Sequence, residues 1–325
     1  MIQVGIIGGA GYTAGELIRL LLNHTKININ FVYSTSNAGN KISDVHEDLV
    51  GTTNVSFTNT INLEVDLVFL CLGHGNSKVF LTQHTFSKNT KIIDLSNDFR
   101  LAKDQNFKGL SFVYGLPELQ KEVIKKAQHI ANPGCFATAI QLALLPLAHH
   151  GLLQNDVHIN AVTGATGAGT SLSQSSHFAW RDNNFSYYKP FIHQHLGEIH
   201  QTVQQLQNGF SSEINFMPNR GNFSRGIFAT AYTKFEGSLA EAEKLYTEFY
   251  KDAVFTFVSS KQVHLKQVIN TNKCLIHLHK HENKLLITST IDNLLKGASG
   301  QAVQNMNFMF GFEETEGLQL KANFF

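Results

Sequence analysis

Residues 2–7 (IQVGII) form a short apolar run that passes directly into a glycine-rich turn, GGAGYTAG at 8–15. Residues 16–23 then place Leu17, Leu20 and Leu21 at helical spacing. Strand, glycine turn and helix in that order are what a dinucleotide-binding βα unit requires. Gly8 permits the tight turn and Gly11 lets the backbone approach a pyrophosphate. That group would rest on the positive start of the helix, beside Tyr12 and Thr13. The spacing is G-x-x-G-x-x-[AG] rather than G-x-G-x-x-G, so a plain tight turn is the competing reading.

Further strands are predicted at 27–33, 65–71 and 91–96, separated by helical stretches, which argues for a doubly wound parallel sheet. Ligands gather at the carboxyl ends of such strands, which brings Gly73, Ser96 and Arg100 toward one crevice. The second strand ends in Ser34-Thr35-Ser36-Asn37 and carries no acidic residue there. An Asp or Glu at this point would hold a ribose 2′-hydroxyl. Ser34 and Ser36 instead leave room for a 2′-phosphate, so NADP is expected rather than NAD.

A cysteine stands at the head of a long apolar helix in NPGCFATA, residues 132–139. A helix start leaves backbone N–H groups unpaired and carries roughly half a positive charge. It favours the thiolate of Cys135 and can hold an oxyanion on a carbonyl that the sulfur attacks. A small buried hydrophobe is the alternative for a lone Cys. Cys71 lies in an apolar strand and is read as buried. The three cysteines are far apart and odd in number, which is no disulfide framework.

Past about residue 146 the pattern becomes α+β, with strands at 157–163, 227–235, 274–281 and 284–291 expected in a mainly antiparallel sheet. A helix is predicted over 238–253, with Ser238 and Glu241 as a capping box. Gly167 lies in a flexible loop at 164–169 that can approach a ligand closely. Of the sixteen histidines, His195 in IHQHLGEI is the best base, with Glu198 on the same helix face to orient it. A metal pair of His193 and His195, with Glu198 or His200, is the competing reading; no metal is expected. His277, His279 and His281 alternate along one strand face. Trp180, Phe185, Tyr187, Tyr188 and Phe191 are read as packing residues.

A net charge of +1 gives no reason to expect nucleic acid or a membrane surface as partner. No run approaches the ~20 apolar residues of a membrane span. The first residues lack a cationic start and a signal-peptide core. A cytoplasmic protein is therefore expected, with residues 1–145 as a cofactor domain completed by a terminal helix at 298–325, and 146–297 as a second domain.

Taken together, GGAGYTAGEL (8–17), AGNKISDVH (38–46), DLSNDFR (94–100), YGLPEL (114–119), NPGCFATA (132–139), TGATGAG (163–169), HQHLGEI (193–199), SRGIF (224–228) and DNLLKGASGQAVQNMNFMFG (292–311) closely resemble the N-acetyl-gamma-glutamyl-phosphate reductase family. The resemblance implies a Rossmann-type domain plus an α+β catalytic and dimerisation domain of the semialdehyde dehydrogenase and glyceraldehyde-3-phosphate dehydrogenase type. It implies NADPH-dependent reduction of an N-acylglutamyl 5-phosphate in arginine biosynthesis, through a thioacyl intermediate on Cys135. His195 matches the family's catalytic histidine. Asn132, Glu198 and Arg100 are expected at the substrate, with Arg100 on the phosphate, and Asn293 at the cofactor. The partners implied are an acyl phosphate, inorganic phosphate and further copies of the chain, as homodimer or homotetramer. An aspartate-semialdehyde dehydrogenase is the alternative within the same superfamily. Two departures lie in the second domain. Asn219-Arg220 stands where many members have a histidine, and Thr170 where many have arginine. Either Arg220 meets an extra carboxylate, as on a succinyl group, or the changes have no functional consequence.

Overall fold

The computed structural model describes all 325 residues, which divide into two compact units: 1–133 with 298–319, and 134–297 with 320–325. The first unit begins β1 (Ile2–Ile7), α1 (Tyr12–Leu22), β2 (Ile27–Tyr33), β3 (Phe57–Thr58), β4 (Leu67–Leu70), α2 (Asn76–Gln83) and β5 (Lys91–Asp94). It continues through β6 (Asn106–Phe107), β7 (Leu110–Tyr114), α3 (Pro117–Lys126) and β8 (His129–Ala131). These strands form one sheet in the order β3-β2-β1-β4-β5-β8-β7-β6, parallel except for the β6–β7 pair. The chain leaves β1 toward β2 on one side and β4 on the other, so the glycine turn sits at the topological switch point of the sheet. Phe99 and Phe112 stack at 4.0 Å within a core that includes Ile7, Val68, Leu70 and Ile92.

The second unit opens with α4 (Cys135–His149), then β9 (Val157–Thr163), α5 (Phe178–Arg181), β10 (Ser186–Tyr187), α6 (Leu196–Leu206) and β11 (Ile214–Arg220). It closes with β12 (Ile227–Lys234), α7 (Leu239–Phe249), β13 (Thr256–Ser259), β14 (Cys274–His281) and β15 (Lys284–Ile291). The sheet order is β10-β11-β9-β12-β15-β14-β13. It is mixed: β9–β11 and β13–β14 are parallel and the other pairs antiparallel. The Ser238–Glu241 capping box forms as expected, with Glu241 N–H donating to Ser238 Oγ at 3.2 Å and Ser238 N–H to the Glu241 carboxylate at 2.6 Å. A final helix, α8 (Gly300–Phe310), belongs with the first unit.

Three differences from the sequence reading have physical causes. The boundary falls at Pro133–Gly134 rather than near 145, because α4 is buried along almost its whole length and packs on α6, β12 and β15 of the second unit. Helix α1 starts at Tyr12, four residues early, since Gly15 is a packing residue: a Cβ there would lie 2.6 Å from His46 Nδ1. The aromatics around 178–191 do not pack inward. Phe178, Phe185, Tyr187 and Phe191 are all exposed, and of the group only Tyr188 turns inside. No helix is long and apolar enough to cross a membrane.

Candidate active site and cofactor loop

Helix α4 begins at Cys135 with Gly134 as its N-cap in extended backbone, and no side chain caps it. First-turn N–H groups at such a helix start can hold an oxyanion. Cys135 is partly exposed, and Gly297 lies so close that a Cβ there would be 2.8 Å from the Cys135 Cβ. The loop before β9's partner strand is pinned in turn: Gly164 sits against the Ser224 carbonyl, and Thr166 Oγ1 donates to it at 2.6 Å.

Two side chains from the start of α6 converge on the residue before Cys135. The His195 ring lies flat against Gly134, where a Cβ would meet its Nε2 at 2.3 Å. The Glu198 carboxylate accepts the Gly134 N–H at 2.9 Å and stands 4.0 Å from His195 Nε2. Both are buried, so the imidazole meets its carboxylate out of water, where the interaction is strong. His193 accepts the His195 N–H on its Nδ1 at 3.2 Å. Burial, then the charges of Lys189 and Arg220, push the His193 titration down to about 4, so it is neutral near pH 7. Phe136 and Phe216 wall this cluster, with ring contacts to His193 at 5.5 and 5.6 Å. No group of three or more His, Cys, Asp or Glu residues is placed to hold a metal ion.

In the first unit, Gly8 has φ +83° and a Cβ there would meet the Cys71 carbonyl at 2.7 Å. Gly11, which caps α1 without a side-chain bond, has open space where a Cβ would be. An uncapped helix start over an open glycine is a cradle that fits a dinucleotide pyrophosphate. His46 holds this turn from below, with Nε2 donating to the Gly9 carbonyl at 2.7 Å. At the end of β2, Ser34 and Ser36 are linked by the Asn37 amide, which donates to their hydroxyls at 3.3 and 3.1 Å. These hydroxyls, with no carboxylate among them, fit a 2′-phosphate.

Residues 3–127 match the family model for the semialdehyde dehydrogenase NAD binding domain, and 135–293 match that for the semialdehyde dehydrogenase dimerisation domain. Over 325 residues, spanning all of both chains, the sequence is 67% identical to the N-acetyl-gamma-glutamyl-phosphate reductase of Christiangramia forsetii. It is 63% identical to that of Flavobacterium johnsoniae over the same span. The chain belongs to the N-acetyl-gamma-glutamyl-phosphate reductase family. Among solved structures, aspartate semialdehyde dehydrogenase II from Vibrio cholerae superposes with a TM-score of 0.71 at 14% identity, covering 96% of this chain and 98% of that one. A probable aspartate-semialdehyde dehydrogenase from Pseudomonas aeruginosa gives 0.69 at 12% identity, over 95% and 98%. Both have this α/β fold.

Within this reductase-family chain, several expected ligand residues also bond to the protein itself. Arg100 is buried, and its Nε and Nη2 donate to the carbonyls of Asn132 and Leu95 at 2.8 and 2.9 Å. It holds the segment leading to NPGC. The Asn132 amide donates to the Ala298 carbonyl and accepts from Asn305. Ser96 donates to Asp94 at 2.7 Å and accepts the Asp98 N–H. Asn293 accepts from Gly226 N–H at 2.7 Å and donates to Thr166. Glu198 accepts the Gly134 N–H. Gly73 accepts the Asn76 N–H at the start of α2, and Gly167 lies against Thr163. Tyr12 is exposed beside the glycine turn, while the Thr13 carbonyl accepts from Ser299.

Sequence reasoning read His193 only as a metal candidate and Tyr188 as packing, and missed His46 and the pair Arg225–Asp292, joined at 3.1 Å. The family-like strings AGNKISDVH and SRGIF were the available signal for His46 and Arg225.

Proposed function

We propose that this chain reduces N-acetyl-L-glutamyl 5-phosphate to N-acetyl-L-glutamate 5-semialdehyde, with release of inorganic phosphate, as a step of arginine biosynthesis. The observation that carries the reading is Cys135 at the uncapped head of α4, with His195 and Glu198 gathered on Gly134 immediately before it.

His195 takes the thiol proton of Cys135. The thiolate attacks the acyl carbon, a C–S bond forms, and the C–O bond to phosphate breaks. The proton on His195 passes to the departing phosphate. Gly8 and Gly11 of the glycine turn would hold the pyrophosphate of NADPH and Ser34 and Ser36 its 2′-phosphate, and the bound cofactor would supply the hydride that reduces the thioester. The first-turn N–H groups of α4 hold the resulting oxyanion. Its collapse breaks the C–S bond, releases the aldehyde and returns the thiolate, which regains a proton from water. The balance is one acyl phosphate, one NADPH and one proton converted to aldehyde, NADP and phosphate.

Small polar substrates and the reductive chemistry suit a cytoplasmic enzyme. The exposed Phe178, Phe185, Tyr187 and Phe191 beside edge strand β10 suit burial against a second copy, as homodimer or within a homotetramer.

The test is phosphate-dependent reduction of NADP by N-acetyl-L-glutamate 5-semialdehyde, followed at about 340 nm, with wild type beside Cys135→Ala. Activity in the wild type and its loss in the variant support the reading. An inactive wild type that still binds NADPH removes it.

A further inference from the structure

Thr163 and Arg220 are register partners in the parallel pair β9–β11, so their side chains leave the sheet on the same face. Phe216, four residues before Arg220 on β11, shares that face and touches the Phe136 ring at 5.2 Å and the His193 ring at 5.6 Å. This is the face that carries the catalytic cluster. Both side chains hold buried donors with no partner: Thr163 Oγ1, on a residue 1% exposed, and Arg220 Nε. The guanidinium lies over the Tyr188 ring at 4.7 Å, and no carboxylate pairs with it. The neighbouring Arg181 is no competitor for a ligand. Its nitrogens are spent on the carbonyls of Ser175, Asn184 and Arg220 and on Ser186 Oγ.

A buried hydroxyl and a buried guanidinium nitrogen left unpaired side by side are costly unless something accepts from them. A planar group with two anionic oxygens satisfies both donors at once. The leaving phosphate is attached to the carbon that Cys135 attacks, whereas the Arg220 guanidinium rests on Tyr188, whose ring meets that of His193 at 5.6 Å. The remote end of the substrate is therefore the match. We propose that Arg220 and Thr163 form the subsite that holds a carboxylate of the acyl substrate. This rests on the reductase reading above. The carboxylate can come from two sources, the α-carboxylate of the glutamyl unit or a carboxylate on the N-acyl group.

The experiment measures phosphate-dependent NADP reduction with three aldehydes: N-acetyl-L-glutamate 5-semialdehyde, its α-carboxamide, and N-succinyl-L-glutamate 5-semialdehyde. Wild type is compared with Arg220→Gln, Arg220→Lys and Thr163→Val, each with a wild-type-like unfolding midpoint. Arg220→Gln is expected to raise KM for a carboxylate substrate about 10-fold or more, the scale of one charge-assisted hydrogen bond. The KM for phosphate should stay within about twofold, Arg220→Lys should recover part of the loss, and Thr163→Val should give a smaller rise in the same KM. A loss shared by the acetyl and succinyl substrates but absent from the carboxamide assigns the α-carboxylate. A loss confined to the succinyl substrate assigns the acyl carboxylate. An unchanged KM on both carboxylate substrates, an equal loss on the carboxamide, or a rise in the phosphate KM overturns the proposal while leaving the reductase reading intact. A wild type inactive on all three aldehydes overturns both.

Discussion

Gly134 donates its N–H to the Glu198 carboxylate at 2.9 Å, across 64 residues of sequence. The bond ties the N-cap of the nucleophile helix to the helix that carries His195. The same carboxylate faces the imidazole at 4.0 Å, so one buried side chain meets both the helix start at Cys135 and the His195 ring.

Replacing that carboxylate by an amide keeps its size and removes its charge. Glu198→Gln should lower kcat about 100-fold, the lower end of what a positioned proton-transfer group contributes. KM for the aldehyde should move less than about threefold. Steady-state kinetics with N-acetyl-L-glutamate 5-semialdehyde decides it; a change in KM alone would instead make Glu198 a substrate contact.

Gly134→Ala should be worse. The added Cβ would sit 2.3 Å from His195 Nε2, so the ring must move off its position. A displacement of about 1 Å at such a group costs on the order of 100-fold in rate. The variant should fold with an unchanged circular dichroism spectrum and lose at least that much kcat. Full activity would mean that the ring need not lie where the structure has it.

The cofactor turn is held by His46, which donates to the Gly9 carbonyl at 2.7 Å. His46→Ala leaves that carbonyl unpaired and opens space beside Gly15. NADPH affinity should weaken about 10-fold, as expected for one lost buried hydrogen bond. Titration of NADPH fluorescence reads this directly, and kcat at saturating NADPH should be unaffected. An unchanged Kd would reduce His46 to a packing residue.

How far all this could be read beforehand depended on range. Strands β1, β2, β9, β14 and β15 stand where the apolar patterns put them, because apolar runs and period-2 alternation are local signals. The Ser238–Glu241 box and the cysteine at a helix head are local too. The Glu198–Gly134 bond is not, nor is the Thr163–Arg220 pairing, which needs the strand register. Arg100, Asn132, Ser96 and Asn293 sit at element ends in family-like strings, where a polar residue facing a ligand and one satisfying a buried carbonyl read alike. Only the three-dimensional partners separate them.

Asp94 provides a pH test. Burial pushes its carboxyl up to about 6 from an ordinary 3.8, against the Ser77 and Ser96 hydroxyls and the Arg100 charge, which pull it down. The folded state therefore holds this proton where the unfolded chain has lost it, and the Asp94 contribution to stability falls as pH rises from about 4 to about 6. Asp94→Asn removes the penalty. Relative to wild type, the variant should gain up to about 3 kcal/mol between pH 4 and pH 7.5 in urea denaturation. A difference independent of pH would mean that Asp94 titrates normally.

The central claim is that Cys135 carries the acyl group. Incubating the protein with N-acetyl-L-glutamate 5-semialdehyde and NADP, without phosphate, should give a burst of NADPH close to one per active site and then stop. Mass spectrometry of the digested protein should find the N-acetylglutamyl adduct on the peptide containing Cys135. An adduct on another residue, or NADPH formation that persists in Cys135→Ala, would contradict the account.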